Sequence, residues 1–445
     1  MSEIIWIQNG RIIDPANERD EIADLYAVNG RIVSELNREQ LSQATCYDAS
    51  GCIVCPGLVD IQVHLREPGQ SQKECVMSGS WAAAAGGITS MVCMGNTSPP
   101  CDNPGTLQYL SNVIKRDSVV NIYPVGTITL GLEGKALSPT GSLKKAGVVA
   151  LTDDGHCVQN NEIMRRAVEY AHMHGLIVMD HCQDYSLTNQ SVMNEGVISL
   201  KLGLRGWPNA AEDIIVARNI ILSESTGAPI HLQHISSENS VEFIRRAKKR
   251  GVQVTAEAMP HHLSLTDEAL ASYDSNFKMN PPLRTEHDRQ ALIEGLLDGT
   301  IDCIATDHAP HTPTEKDVEF DLAPFGIIGL ETSLSVCYRE LVLNKKCNIY
   351  DLIRFMTCQA SDILHLGKGT LSEGVDADIV IFDPEAKRKI NKDGFFSRSQ
   401  NSPWIGETLP VQVKKTFVAG KLIFDGENIV SAADEALILA RPGTS

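Results

Sequence analysis

The sequence predicts an α/β chain folded as a (β/α)8 TIM barrel, with a small β-sandwich module assembled from both chain ends. Three observations predict it. Eight short apolar runs alternate with longer helical patterns through the middle of the chain, ionisable residues gather where those runs end, and hairpin-like segments stand at both termini. Length agrees, because 445 residues exceed the roughly 250 of a typical barrel and leave room for one smaller unit. The composition, 42% hydrophobic and only 5% aromatic, suits a large core of Ala, Val, Ile and Leu.

Taken in order, the apolar runs 4–7 and 25–28 are each followed by Asn-Gly and a second β-type run, a pattern that favours hairpins because both turn positions tolerate positive φ. A similar unit returns at 415–424, after the strand-like Ala377-Asp-Ile-Val-Ile-Phe-Asp. The expected division is residues 1–55 plus 366–445 for the β-module and 56–365 for the barrel. Within the barrel the strand candidates are 57–64, 87–94, 120–125, 147–152, 176–181, 229–234, 252–258 and 301–306, with helices expected at 162–174 and 210–226. Repeated β-then-α order argues for a parallel sheet, and eight units for its closure. No Gly-x-Gly-x-x-Gly follows the first strand, which speaks against an open dinucleotide-binding sheet.

His64, Asn96, Asp154, His181, His234 and Asp307 stand at the ends of these runs. In a barrel the C-terminal strand ends form one face, so residues distant in sequence converge there. One histidine at such a place is most simply structural. Three histidines and two aspartates at the same relative position indicate metal binding, since each alone would leave a polar group at the rim of a core. Imidazole and carboxylate suit zinc, which lowers the pKa of a bound water to about 7. Asp154 is the natural bridge between two ions, and Asp307 the natural general acid and base.

The charge of -17 excludes a basic nucleic-acid-binding surface, no apolar run approaches the roughly 20 residues of a membrane span, and the N-terminus lacks a signal pattern, so a cytoplasmic enzyme is expected. The twelve cysteines are scattered, some inside strand-like runs such as Cys93 and Cys303, and are read as reduced core thiols. Cys52 and Cys55 have metal-site spacing but no second pair to complete one.

Several stretches share one resemblance: Pro56-Gly-Leu-Val-Asp-Ile-Gln-Val-His-Leu-Arg-Glu-Pro-Gly, Met94-Gly-Asn-Thr, Thr152-Asp-Asp-Gly, His181-Cys-Gln-Asp, Pro260-His-His-Leu, Lys278-Met-Asn-Pro-Pro-Leu-Arg, Ala305-Thr-Asp-His-Ala-Pro-His, Ala323-Pro-Phe-Gly and Asn401-Ser-Pro-Trp-Ile-Gly. In this combination the chain resembles the class I-like dihydroorotases of the amidohydrolase superfamily. The resemblance implies one or two zinc ions, one held by His64, Asp154 and Asp307 and the other by Asp154, His181 and His234. It also picks Asp154 over Asp153. Arg66, Asn96 and His311 would grip a substrate carboxylate, with Asn280 and the loop of Ala323, Pro324, Phe325 and Gly326 lining the ring. An arginine fits there because its planar fork pairs with a carboxylate in two parallel bonds. The implied reaction is reversible cyclisation of N-carbamoyl-L-aspartate to L-dihydroorotate in pyrimidine biosynthesis, by a metal-activated hydroxide. A homo-oligomer and a partnership with aspartate transcarbamoylase belong to the same implication.

The match breaks at one position. The family's first strand usually carries His-x-His, two ligands on one side of a strand; here it reads Gln62-Val63-His64. An amide oxygen is a poorer zinc ligand than imidazole, so the first site is expected to be weaker. His156, two residues past Asp154, is the candidate substitute, against its reading as a solvent-facing loop residue. Two alternatives to an active dihydroorotase follow. One is a silent subunit supporting aspartate transcarbamoylase, since loss of the His pair marks such subunits. The other is a hydantoinase or allantoinase, but these bridge their metals with a carboxylated lysine, and the fourth run ends without one.

Overall fold

The computed structural model describes residues 3–430. Ile4–Asp14 (β1), Arg19–Val28 (β2), Arg31–Val33 (β3), Thr45–Asp48 (β4) and Ile53–Pro56 (β5) open the chain. β1 pairs antiparallel with β2 and parallel with β4 and β5. The Asn29-Gly30 pair makes the expected hairpin between β2 and β3, with φ of 50° and 79°. The Asn9-Gly10 pair does not turn the chain. β1 runs through it with a register shift between Ile7 and Gly10, a bulge. The physical reason is contact with β5: a Cβ on Gly10 would lie 2.4 Å from a Val54 methyl, so glycine lets the strand press onto its neighbour.

Each of the eight apolar runs holds a strand: Leu58–Val63 (β6), Ile88–Cys93 (β7), Asn121–Pro124 (β8), Ala150–Leu151 (β9) and Ile177–Asp180 (β10), then, after the short pair Met193–Asn194 (β11) and Gly206–Trp207 (β12), Ile230–Leu232 (β13), Val254–Ala258 (β14) and Cys303–Ile304 (β15). Every residue of β6 and β7 is buried, as in a parallel sheet covered on both faces. The strands form two parallel arcs, β6-β7-β8 and β9-β10-β13-β14-β15. Single bridges join them at both seams, Gly126 to Leu151 and Val63 to His308, the latter backed by His64 N–H donating to the His308 carbonyl at 2.9 Å. The ring is thereby closed as a (β/α)8 barrel.

The helices Asn161–Met173 and Ala210–Thr226 fall where the helical patterns lie. Asn160 caps the first by accepting from the backbone N–H of Glu162 and Ile163. Val59, Ile61, Val92, Met179 and Ala305 meet in a cluster of their own, while helix-facing residues such as Val63, Val168 and Leu232 join the main core.

Ile379–Lys389 (β16), Thr408–Val418 (β17) and Lys421–Phe424 (β18) return from the far end of the chain. β16 pairs with β5, so one sheet runs β18-β17-β16-β5-β1-β2-β3 and draws on both ends of the sequence. The part of the expected module at 431–445 lies outside the described residues.

Candidate metal centre

His64, Asp154, His181, His234 and Asp307 come together at the strand ends of the barrel. They make two triads, His64 with Asp154 and Asp307, and Asp154 with His181 and His234; within each, the potential ligand atoms lie within 4.8 Å of one another, and all are buried. Asp154 belongs to both. Its Oδ2 is 3.0 Å from His64 Nε2, while Oδ1 is 3.4 Å from His181 Nδ1 and 3.5 Å from His234 Nε2. Asp307 Oδ1 lies 3.1 Å from His64 Nε2.

The backbone helps to aim these side chains. Arg66, His234 and Asp307 all adopt positive φ, 57°, 36° and 48°. Such conformations are costly for residues other than glycine and turn the chain sharply at the end of a strand. Asp60 ties the first strand to the last by accepting from Gln62 N–H, Thr306 N–H and the Thr306 hydroxyl.

Neighbouring amides select the histidine tautomers. His64 Nδ1–H donates to Asn96 Oδ1 at 3.0 Å, leaving Nε2 for Asp154 and Asp307. His181 Nε2–H donates to Gln183 Oε1 at 2.8 Å, leaving Nδ1 to face Asp154 and, at 2.7 Å, His234 Nε2. Gln183 is therefore a neighbour of the cluster that the sequence reading passed over. Its only signal is its place two residues after His181, on the same side of an extended chain.

Electrostatics agree with a cation site. Burial works against the Asp154 carboxylate, yet hydrogen bonds from His181, His234 and His64 hold it well below the usual carboxylate range. Burial likewise opposes charge on His64, but Asp154 and Asp307 outweigh it and raise that imidazole to about 9. Asp153 points elsewhere, accepting from the backbone of Ile128 and Thr129 and from the Thr129 hydroxyl.

These donors fit a divalent ion: carboxylate and imidazole of the right hardness, gathered in two sets, and a carboxylate shared between them. Gln62 belongs to neither triad. Its Nε2 lies 3.3 Å from Asp154 Oδ1, and its Oε1 is buried without a hydrogen-bond partner. The amide thus donates to the shared carboxylate rather than offering a lone pair to the same place. His156 is exposed on the following turn and joins neither triad.

Beside the triads opens a cavity of about 330 Å³, lined by Arg66, Asn96, Asn280, His311, Pro324, Phe325 and Gly326 as well as the clustered ligands. Ala323, expected to line the ring as well, is buried and is not among the cavity's lining residues. Arg66 is held by its Nε–H donating to the Pro310 carbonyl at 3.2 Å. His311 donates from Nε2 to the Phe325 carbonyl at 2.8 Å and leaves Nδ1 buried and unpartnered; burial, with Arg66 adding, pushes it down to about 2, so it is neutral. Asn280 donates to Gln183 Oε1 and keeps Oδ1 unpartnered. Asn96, by contrast, is engaged at both ends, since its Nδ2 also donates to the Asp154 carbonyl.

Residues 51–240 match a family model described as dihydro-orotase-like. The dihydroorotase of Trichlorobacter lovleyi is 47% identical to this chain over 95% of its length and 99% of the relative's, and that of Geobacter metallireducens 48% over 94% and 99%. The chain belongs to the dihydroorotase family. This dihydroorotase-family fold is shared with solved structures: the L-hydantoinase of Arthrobacter aurescens superposes with a TM-score of 0.86 at 21% identity, covering 97% of this chain and 98% of that one. The dihydropyrimidinase of Brevibacillus agri gives 0.84 at 22%, over 97% and 96%. No helix among the described residues of this family member is long and apolar enough to cross a membrane.

Proposed function

We propose that the cavity interconverts N-carbamoyl-L-aspartate and L-dihydroorotate, opening the dihydroorotate ring by hydrolysis and closing it in reverse. The observation that carries this reading is the meeting of two ligand triads on Asp154 beside the half-buried guanidinium of Arg66. The triads would hold one or two zinc ions, His64, Asp154 and Asp307 on one side and Asp154, His181 and His234 on the other. A bound ion would supply a water of lowered pKa and a Lewis acid for the ring carbonyl. Asp307, beside His64, takes the proton of the attacking water and passes it to the departing ring nitrogen.

Arg66 pairs with the substrate carboxylate, and the neutral His311 ring stands beside the guanidinium, its Nε2 at 3.5 Å. Asn280 Oδ1 offers an acceptor for a ring N–H, while Pro324, Phe325 and Gly326 cover the ring. Asn96 serves the site through His64, whose tautomer it selects.

A second reading rests on Gln62, namely a silent subunit supporting aspartate transcarbamoylase. Against it stands the second triad, Asp154, His181 and His234, which comes together without any part from Gln62. A preparation loaded with zinc is expected to hydrolyse dihydroorotate by itself. No turnover, alone or with aspartate transcarbamoylase, would defeat the enzyme reading. Arg66→Met is expected to raise the KM for dihydroorotate about 100-fold, in line with the roughly 2–5 kcal/mol lost when one partner of a buried charge pair is removed, at unchanged metal content. An unshifted KM would reject the clamp.

A further inference from the structure

Pro324, Phe325 and Gly326 form one wall of the cavity, and they end a short segment, 320–326, whose backbone is tethered mostly by groups outside the cavity lining. Two of these are lysines. Lys278 is among the largest fully buried side chains of the protein, and Lys316 is buried too. Lys278 Nζ donates to the carbonyls of Phe320 at 2.7 Å and Asp321 at 3.1 Å, and lies 4.7 Å from the centre of the Phe325 ring. Lys316 Nζ donates to the carbonyls of Pro324 at 3.0 Å and Gly326 at 3.1 Å. The Gly326 carbonyl also accepts from Asn401 Nδ2, and Gly326 N–H donates to the Lys278 carbonyl.

An ammonium group has three donors and no acceptor, and its burial is costly unless those donors are satisfied. Neither lysine has a salt-bridge partner among the described residues; backbone carbonyls of one short segment take that place. Burial accordingly pushes Lys278 down to about 8 and Lys316 to about 7. A side chain needed only to fill volume would carry no charge here. What two ammonium groups add is direction, since each pair of carbonyls must converge on one nitrogen. The wall also presses on the barrel: Gly326 has φ of 124°, and a Cβ there would lie 2.7 Å from the Ala309 methyl. Its Phe325 carbonyl in turn accepts from His311, so the wall and the His311 imidazole are aligned together.

We propose that Lys278 and Lys316 are positioning residues for substrate binding, which hold the 320–326 wall and His311 in place before the substrate arrives. This rests on the dihydroorotase reading of the cavity. A preorganised wall lowers the cost of binding, whereas a displacement of about 1 Å at such a site can cost up to about 100-fold.

The test is Lys278→Met and Lys316→Met, each loaded with zinc and checked for metal content. Both are expected to raise the KM for dihydroorotate at least about tenfold, with kcat changed less than about threefold, and to speed amide hydrogen exchange at 320–326. An unshifted KM, or a fall in kcat matched by loss of metal, would overturn the proposal. Should the variants fail to fold, the wild-type protein decides by exchange alone. Amides of 320–326 protected equally with and without dihydroorotate support a preformed wall, and protection that appears only with ligand overturns it. A loaded wild-type protein that turns over nothing defeats the function reading and leaves the wall to be judged by its protection in the free protein.

Discussion

Gln62 and Gln183 show how differently one residue type can act at the same site. Gln62 donates to Asp154 and so neutralises part of the shared carboxylate. Gln183 accepts from His181 and so frees the opposite ring nitrogen. Gln62→His replaces the amide donor with a nitrogen lone pair, and the variant is expected to lose zinc to a chelator at least about tenfold more slowly than wild type, consistent with imidazole being the better zinc ligand. Equal rates of loss would show that Gln62 does not limit the first site. Gln183→Leu is expected to weaken zinc binding about 10- to 100-fold, the usual effect of removing a ligand's hydrogen-bond partner; competition titration with a chromophoric chelator measures it, and unchanged affinity would reject the tautomer argument. At this site, the clustering of the five strand-end His and Asp residues was legible because each interrupts or ends an apolar run. Gln183 was not, because its contact depends on the rotation of a neighbouring ring, and its place two residues after His181 does not by itself record that rotation.

At the scale of elements, close approach decides more than propensity. Gly57, just ahead of β6, has no room for a side chain, since a Cβ would lie 1.9 Å from Thr89 Oγ1. Gly57→Ala is expected to destabilise the protein by about 1–3 kcal/mol, the usual cost of overpacking, read as a lower urea midpoint at an unchanged slope; an unaltered midpoint would mean that β6 and β7 separate freely. The eight strands were legible as apolar runs, but their lengths were not. The runs at 147–152 and 301–306 hold strands of only two residues, Ala150–Leu151 and Cys303–Ile304. Regular pairing gives way to single bridges near the site, as around Asp307 with its φ of 48°, and apolar patterning does not record that change. The pair Asn9-Gly10 makes the same point, a hairpin signal that tertiary contact with Val54 converted into a bulge.

For the whole molecule, the proposed division sets residues 1–55 and 366–445 apart from a barrel at 56–365. β5 lies between β1 and β16, so the N-terminal strands depend on a segment more than 300 residues away. A chain ending at residue 365 would expose the apolar face of β5, including Val54, and the buried Ile12 on β1. It is expected to be insoluble or to lack a cooperative thermal transition; a soluble, cooperatively melting product that binds zinc would refute the dependence. The sequence by itself determined the alternation of strands and helices, the kinship carried by its motifs, and which ionisable residues stand at strand ends, because each of these is written in local order. Only the tertiary structure decided that Gln62 turns a donor toward Asp154, that Gln183 faces the His181 ring, and that two buried lysines hold the substrate wall. Those are facts of distance between residues far apart in the chain, as with His64 and Asp307, whose contact at 3.1 Å spans 243 positions, and barrel closure alone brings them together.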